Sequence, residues 1–289
     1  MTTDTGPMVP IAPAGACDCH THVFGPPVLF SYDPARTYTP GQASLEALSA
    51  LHAALGIGRV VIVQPSPYGT DNSCTLDAVR RLGDRARAVA VVAPDIGANA
   101  LQALHAAGVR GVRLNLETAG MSDPGIAADL LRRAADKIAP LGWHVQTYTN
   151  MGVIAALHRV LSDLAAPVVI DHFGRAMASD GTAQTGFAAL LDLVGTGKAY
   201  VKLSAAHRIA ADPEDAEPIA RALIAANPAR MLWGSDWPHP AGRPGKRNIS
   251  VVEPFEPIDD RRALARLMAW AGDLAKTILV DNPARLYGF

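Results

Sequence analysis

The stretch CDCHTH, residues 17–22, holds two cysteines, two histidines and an aspartate within six positions, and its conformation decides the fold. It could be a zinc knot, a redox site or the first strand of a barrel. Side chains alternate between the two faces of a strand, so an extended segment turns the cysteines one way and Asp18, His20 and His22 the other. A zinc knot would break the strand and would need a second Cys/His pair nearby, which the sequence lacks. We therefore expect Cys17 and Cys19 to pack against helices, away from the barrel mouth, and the histidines to face that mouth.

Short β-rich runs alternate with Ala- and Leu-rich runs along the rest of the chain. Strands are predicted at 16–20, 59–64, 87–92, 110–115, 143–148, 167–171, 199–204 and 230–235. Helices are predicted near 44–55, 73–82, 98–107, 126–139, 151–163, 186–195, 213–226 and 258–270. This alternation is typical of parallel βαβ units, and eight units predict an α/β fold of the (β/α)8 TIM barrel type. A doubly wound open sheet is the main alternative, but no Gly-rich dinucleotide motif follows the first strand.

Composition restricts the partners and the domain organisation. The 289 residues are 49% hydrophobic and carry a net charge of −1, which predicts no general attraction to nucleic acid or to a membrane surface. No apolar run reaches the ~18 residues that span a bilayer. The Pro/Gly-rich residues 1–15 lack the features of a signal peptide and are predicted to be an N-terminal arm, with one domain over 16–289. Three cysteines form no disulfide framework, which predicts a cytoplasmic protein. The protein is predicted to be a monomer or a small homo-oligomer.

Polar residues recur at or just beyond the predicted carboxyl ends of the strands. In strand order they are His20 and His22, Gln64 and Ser66, Arg113 and Asn115, Tyr148, the group Asp171, His172 and Arg175, the group Lys202, Ser204 and Arg208, and finally Asp236 and His239. Each has an ordinary structural explanation on its own: a strand-end histidine is often only hydrogen-bonded, Asp236 could cap a helix, and Lys202 could pair with a buried carboxylate. The whole set points instead to a site at the face where barrels carry their chemistry.

Five segments carry a resemblance to a known family: HTHVFGP (20–26), VIVQPSPYGTDN (61–72), GVRLNL (111–116), VIDHFGR (169–175) and WGSDWPHP (233–240). With them the chain resembles the amidohydrolase superfamily in its Amidohydrolase-2 branch, and is similar to the 2-pyrone-4,6-dicarboxylate lactonase and galactarolactone-type groups. The resemblance implies that His20, His22, His172 and Asp236 are the catalytic residues. It also implies substrate contacts from Tyr38, Ser66, Tyr148 and Arg208. Arg113, Arg175 and Arg208 would form a local positive patch, which points to an anionic substrate.

The expected activity is hydrolysis of the ring ester of a small carboxylate-bearing lactone, such as a pyrone dicarboxylate or a sugar-acid lactone. Asp236 would act as general base for water, and the histidines would donate hydrogen bonds to the carbonyl oxygen. Alternatively, His20, His22, His172 and Asp236 could hold one Zn²⁺. The resemblance implies a group that works without metal, so no cofactor is predicted to be required.

Three other activities stay open at this point: a sugar-acid lactone isomerase, a mononuclear zinc-dependent hydrolase or decarboxylase, and a binding protein with a decayed site. The segment ETAGMSDP (117–124) after GVRLNL contains no Arg or Lys, and the second strand is followed by Tyr68. In the pyrone lactonase group those two places carry a basic residue and a histidine. The resemblance therefore implies the lactone class more firmly than an aromatic dicarboxylate.

Overall fold

The computed structural model describes residues 11–116, 124–241 and 247–289. Three regions of the chain lie outside these residues: the first ten positions of the arm, positions 117–123 of the segment ETAGMSDP, and positions 242–246 of the loop after the last barrel strand. The division into an arm over 1–15 and a domain over 16–289 stays a prediction.

Eight parallel strands form one sheet that curls into a nearly closed barrel. They are β1 Cys17–Thr21, β3 Arg59–Val63, β4 Ala86–Ala90, β5 Val109–Asn115, β6 His144–Tyr148, β7 Val168–Ile170, β8 Ala199–Ser204 and β9 Met231–Gly234. Each pairs with the next in this list, so the predicted strands and their order are confirmed. Two short strands that were not predicted, β2 Thr39–Pro40 and β10 Val252–Glu253, pair with each other beside the barrel mouth.

Helices surround the strands. They are α1 Leu45–Leu55, α2 Ser73–Leu82, α3 Ala98–Ala106, α4 Pro124–Ile138, α5 Met151–Asp163, α6 Phe187–Gly195, α7 Glu217–Ala226, α8 Asp260–Ala271 and α9 Asn282–Tyr287. The first eight match the predictions, and α9 was not predicted. The largest difference is the start of α7, because Pro213–Ala216 forms a separate 3₁₀ turn before it. Within the described ranges, no helix is both long and apolar enough to cross a bilayer.

The barrel closes where its first strand meets its last. At this joint the amide of Asp236 donates to the carbonyl of His20 at 2.8 Å. The Asp18 carboxylate supports the same joint, because its Oδ1 accepts from the amides of Ser235 at 2.9 Å and His20 at 3.2 Å. Its Oδ2 lies 3.2 Å from His52 Nε2 on α1. A single side chain therefore binds β1, the end of β9 and the outer helix layer together.

A β-bulge in β1 overturns part of the alternation predicted for CDCHTH. Asp18 lies opposite Val60 and Thr21 opposite Ile62, so three steps along β1 match two along β3. The extra residue allows neighbouring side chains to point the same way. Cys17 and Cys19 lie inside the barrel, in a cluster with alternate strand residues and the α9 side chain: Val61, Val63, Val89, Val169, Tyr200, Leu232 and Tyr287.

The prediction that both cysteines pack against the surrounding helices was therefore wrong. The prediction that Asp18 faces the mouth was also wrong, since its carboxylate reaches His52 in the outer layer. His20 and His22 do lie at the mouth, as the next section describes. Ordinary alternation would have turned Cys19 and His20 to opposite faces, and the bulge is the reason that it fails here.

Candidate active site

Three imidazoles converge on one carboxylate oxygen at the barrel mouth. The Nε2 atoms of His20, His22 and His172 lie 3.7, 3.8 and 3.7 Å from Asp236 Oδ1. All four residues are buried, with 4% or less of each residue exposed. The four predicted catalytic residues are thus brought together by three different strand ends, those of β1, β7 and β9.

Local backbone geometry turns two of these side chains inward. His172 follows β7 with φ 51°, and Asp236 follows β9 with φ 67°. This left-handed region is sparsely populated by residues other than glycine, and such outliers concentrate at functional sites. Neighbouring contacts hold His172 in place: its Nδ1 lies 2.8 Å from Ser204 Oγ, and its ring packs edge-on against Tyr148.

Arg208 binds the second oxygen of the central carboxylate. Its Nε and Nη2 donate to Asp236 Oδ2 at 3.0 and 2.7 Å, and Nη2 also donates to the carbonyl of Pro240. Burial alone would raise the pKa of Asp236, but Arg208 and the surrounding imidazoles together hold it well below its ordinary range. Asp236 is therefore an anion throughout the neutral range. The sequence analysis assigned Arg208 to the substrate alone and missed this partner.

The surrounding histidines are neutral. Burial lowers the pKa of His22 to about 4 and that of His172 to about 3, and burial followed by the charge of Lys202 lowers the pKa of His20 well below its ordinary value. The tautomer of His22 follows from one contact, since its Nδ1 lies 2.8 Å from the carbonyl oxygen of Val63. A carbonyl oxygen can only accept, so Nδ1 carries the proton and Nε2 presents a lone pair to Asp236.

A polar layer of strand-end residues from the sequence analysis, to which only Gln146 is new, lies against His20. Asp171 accepts from Gln146 Nε2 at 3.0 Å, and it lies 3.3 Å from Lys202 Nζ and 3.6 Å from Arg113 Nε. Burial would raise the pKa of Asp171, but Lys202, His20 and Arg113 hold it well below its ordinary range. The layer is thus a buried group in which one carboxylate faces two cationic side chains.

A cavity of about 60 Å³ opens above the carboxylate. Eight of the ten site residues predicted from sequence line it: His22, Tyr38, Ser66, Arg113, Tyr148, His172, Arg208 and Asp236. His20 lies beside the cavity against Asp236 but is not part of the lining. Arg175 is also outside the lining, because its guanidinium donates to the hydroxyl of Tyr148 and lies beside that ring.

Two tyrosines and a serine supply hydroxyl groups to the cavity wall. Burial raises the pKa of Tyr38 to about 12, although its hydrogen bond with Ser66 acts in the opposite direction. Tyr38 therefore stays a hydroxyl in the neutral range. Tyr148 receives the Arg175 hydrogen bond and packs against His172, so Arg175 contacts the cavity only through Tyr148.

Arg247 is a cavity residue that sequence reasoning missed. It lies in the loop after the last barrel strand, and its guanidinium carbon is 4.7 Å from the centre of the Tyr38 ring. The side chain pairs with Glu253, and the backbone amide donates to the Thr37 carbonyl at 2.9 Å. The short β2–β10 pair joins the chain that follows Arg247 to residues 39–40. The Pro/Gly-rich composition of the loop after the last barrel strand was the available signal, but it did not identify a particular residue.

The central residues fit a single divalent ion by atom type and spacing. Ligands of a tetrahedral zinc lie about 3.3–3.4 Å apart, given bonds of about 2.0–2.1 Å. The 3.7–3.8 Å separations around Asp236 Oδ1 are close to this, and His20 Nε2 has no hydrogen-bond partner among the described residues. His20, His22 and Asp236 would hold such an ion, because their ligand atoms all lie within 4.8 Å of one another, whereas His172 forms a second such group with His20 and Asp171.

The family model described as Amidohydrolase matches residues 17–289. The chain belongs to the amidohydrolase family. The match runs from β1, which carries the two neighbouring site histidines, to the last residue, so it includes every strand and helix of this amidohydrolase.

Curated relatives of similar length are lactone-processing enzymes. The 4-sulfomuconolactone hydrolase of Hydrogenophaga intermedia is 35% identical, with coverage of 96% of this chain and 90% of the relative. The 2-pyrone-4,6-dicarboxylate hydrolase of Comamonas testosteroni is 36% identical over 95% and 90%. The D-galactarolactone isomerase of Agrobacterium fabrum is 28% identical over 96% and 92%.

A solved structure from Pseudomonas putida, proposed to be a 2-pyrone-4,6-dicarboxylic acid hydrolase, superposes with a TM-score of 0.78. It is 34% identical to this amidohydrolase and covers 95% of this chain and 97% of its own. The barrel predicted from sequence therefore agrees with an experimentally determined fold of a relative.

Proposed function

We propose that this amidohydrolase hydrolyses the ring ester of a small, carboxylate-bearing lactone. The observation that carries the proposal is the arrangement at the floor of the cavity, where an ionised carboxylate faces three neutral imidazoles and arginines line the walls. The hydrolase relatives at 35 and 36% identity support the lactone class. Pyrone dicarboxylates and sugar-acid lactones are both candidate substrates.

Asp236 is the proposed general base. Its Oδ1 and the bare Nε2 of His22 are both acceptors and lie 3.8 Å apart, so a water molecule between them can donate one hydrogen to each. As the water oxygen attacks the acyl carbon, its proton passes to Asp236 and the carbonyl oxygen becomes an oxyanion. When the ring C–O bond breaks, the leaving oxygen takes the proton, and the product is a ring-opened hydroxy acid.

Asp236 compensates for weak basicity by position. Its low pKa makes it a poor base in equilibrium terms. However, burial with an oriented water avoids the entropy of bringing base and nucleophile together, which is worth several kcal/mol in well-oriented systems. An ester is also more reactive than an amide, so a weak base at the correct place is sufficient.

Arginines are the proposed recognition groups for the substrate carboxylate. Arg113 and Arg247 line the cavity, and guanidinium groups bind carboxylates through paired hydrogen bonds. Arg208 also lines the cavity, but it is hydrogen-bonded to Asp236. We therefore propose that it stabilises the negative charge of the base. Tyr38, Ser66 and Tyr148 would bind neutral oxygens of the substrate, and Arg175 would orient Tyr148.

We further propose that no metal is required. A bound Zn²⁺ would polarise the carbonyl group and lower the pKa of a water molecule. Without zinc, an imidazole N–H can polarise the carbonyl group by a hydrogen bond to its oxygen. Asp236 can activate the water by accepting its proton. Because imidazole clusters bind zinc by simple affinity, we expect zinc to bind here adventitiously, without a role in catalysis.

Isomerisation is the second candidate, because one relative at 28% identity is a lactone isomerase. A substrate hydroxyl, in place of water, would attack the acyl carbon with Asp236 as base. The hydrolase relatives are more similar to this chain over the same extent, which is why hydrolysis is preferred.

The test is a panel of pyrone and sugar-acid lactones, assayed on protein before and after exhaustive chelation with metal content measured on the same samples. Hydrolysis adds one water to the product mass, whereas isomerisation leaves the mass unchanged. We expect the mass of one water to be added, at a rate that chelation does not lower. Activity that falls in proportion to the lost zinc and returns with added zinc would refute the metal-free proposal.

We also propose a cytoplasmic location. Cys17, Cys19 and Cys74 are all free and buried, which suits a reducing compartment. A monomer or small homo-oligomer stays a prediction.

A further inference from the structure

Lys202 is a buried amine that the mechanism above does not use. Its side chain is fully buried on β8, and its Nζ donates to Gln146 Oε1 at 2.7 Å and to His20 Nδ1 at 3.2 Å. The same ammonium forms an ion pair with Asp171 Oδ1 at 3.3 Å. Each contact of this amine is therefore made inside the barrel, and one of them is with a catalytic imidazole.

Two groups compete for His20 Nδ1. Asp171 Oδ1 lies 3.2 Å away and could only accept a proton from it, whereas Lys202 can only donate to it. The hydrogen-bond geometry is met by the Lys202 contact, while Asp171 Oδ1 has no hydrogen bond within the described residues. The Lys202 contact favours Nδ1 as an acceptor, which places the single proton of the neutral ring on Nε2, the atom that faces Asp236.

We propose that Lys202 is a positioning residue that holds His20 as the Nε2–H tautomer, so that His20 directs an N–H rather than a lone pair at Asp236 Oδ1. This assigns opposite roles to neighbouring histidines of the HTH motif. His22 presents a lone pair because its Nδ1–H is used on the Val63 carbonyl, whereas His20 presents an N–H. One ring therefore accepts a hydrogen bond from the proposed water molecule, and the other offers a hydrogen-bond donor to the carboxylate of the base.

The proposal has a consequence for zinc that does not depend on turnover. A metal on His20 Nε2 requires the proton to move to Nδ1, where only Asp171 could accept it. Lys202 opposes this movement because its N–H already points at Nδ1. No net charge changes in the exchange, since the proton only changes nitrogen. Lys202 consequently makes His20 a poorer zinc ligand and a better hydrogen-bond donor.

The experiment is nitrogen NMR of the chelated protein labelled with ¹⁵N-histidine. A protonated imidazole nitrogen and a bare one resonate at well-separated shifts, and the His20 signals among those of nine histidines are identified by their loss in His20→Gln. We expect bare Nδ1 and protonated Nε2 at His20, with the opposite pattern at His22. A wild-type spectrum with the proton on Nδ1 of His20 overturns the proposal, whether or not the variants fold.

Lys202→Met tests the cause, because it removes the donor and leaves Asp171 as the partner of Nδ1. We expect the His20 proton to move to Nδ1, and Zn²⁺ binding, measured by competition with a coloured chelator, to tighten at least about tenfold, the scale of one hydrogen bond to a charged group. Lys198→Met is the matched control, since Lys198 is exposed on the turn before β8 and should change neither reading. Asp171→Asn should also keep the wild-type tautomer, because the Lys202 donor remains.

Unchanged His20 shifts and zinc affinity in folded Lys202→Met would refute the role of Lys202. The role of Asp236 as the base that His20 faces rests on the proposed function, but the tautomer does not. A protein that hydrolyses no lactone and still shows the Nε2–H tautomer would refute the function alone. Hydrolysis with the reverse tautomer would refute this inference alone.

Discussion

Replacing Arg208 by Met should destabilise the fold through the carboxylate that it leaves behind. The Arg208 and Asp236 side chains are 9% and 2% exposed, and two hydrogen bonds join them at 3.0 and 2.7 Å. Removing one partner of a buried ion pair costs about 3–5 kcal/mol, because the remaining charge is buried without compensation. We expect a loss of this size in the free energy of unfolding at pH 7.

The pH dependence of that loss has a definite sign. The pKa of Asp236 in the folded protein is held well below its ordinary value, so its pairing adds stability above the unfolded-state pKa of about 3.9 and loses it as the pH falls through the folded value. The difference between wild type and Arg208→Met should therefore be constant from about pH 6 upward and shrink in acid. Catalysis should suffer mainly in kcat, since Arg208 contacts the base.

Urea denaturation of Arg208→Met, Asp236→Asn and the double variant measures the pair directly. In the Asn background no buried anion remains, so the Arg208 substitution should cost less, and the coupling should be about 2–3 kcal/mol. Arg80→Met is the control, because Arg80 is exposed in a helical pair with Asp77 and should change stability little. A coupling below about 0.5 kcal/mol, or a loss that grows in acid, would refute the argument.

Three further predictions concern activity. Asp236→Asn should lower kcat by about 10²- to 10⁴-fold with KM nearly unchanged, the contribution typical of a general base; steady-state kinetics that retain most of the rate would place the base elsewhere. Arg113→Met should raise KM about 10- to 150-fold for a lactone with a free carboxylate but not for its methyl ester, and equal effects on both would contradict the anion role. Because the pKa values of His22 and His172 are lowered to about 4 and about 3, kcat/KM should show no inflection near pH 6.5 once the uncatalysed rate is subtracted, and a histidine-like inflection there would contradict the neutral cluster.

The strands and most site residues could be predicted because both depend on local patterns. Buried parallel strands are continuous apolar runs, and the polar residues that follow them collect at one face of a barrel. His20, His22, His172 and Asp236 were found in this way, and they converge as expected.

Features that depend on tertiary contacts could not be predicted. The sequence CDCHTH does not predict the bulge that turns Cys19 and His20 to the same side, because the extra residue is defined only by the register against β3. The bond between Arg208 and Asp236 joins residues 28 positions apart, and Arg247 reaches the cavity from the middle of a long loop. Tautomers depend on which atoms lie within hydrogen-bond distance, so only the structure could distinguish His20 from His22.

The joint between β1 and β9 determines when the site can exist during protein synthesis. Asp18 bonds to the amide of Ser235, which lies 217 positions later in the chain. Chains emerge from their amino end, so the histidines of β1 are made first and the Asp236 carboxylate follows only after seven further barrel strands. A nascent chain that stops before β9 holds imidazoles without their carboxylate and a sheet with two open edges. Acquisition of activity and protection of the first strand should therefore occur as one late event.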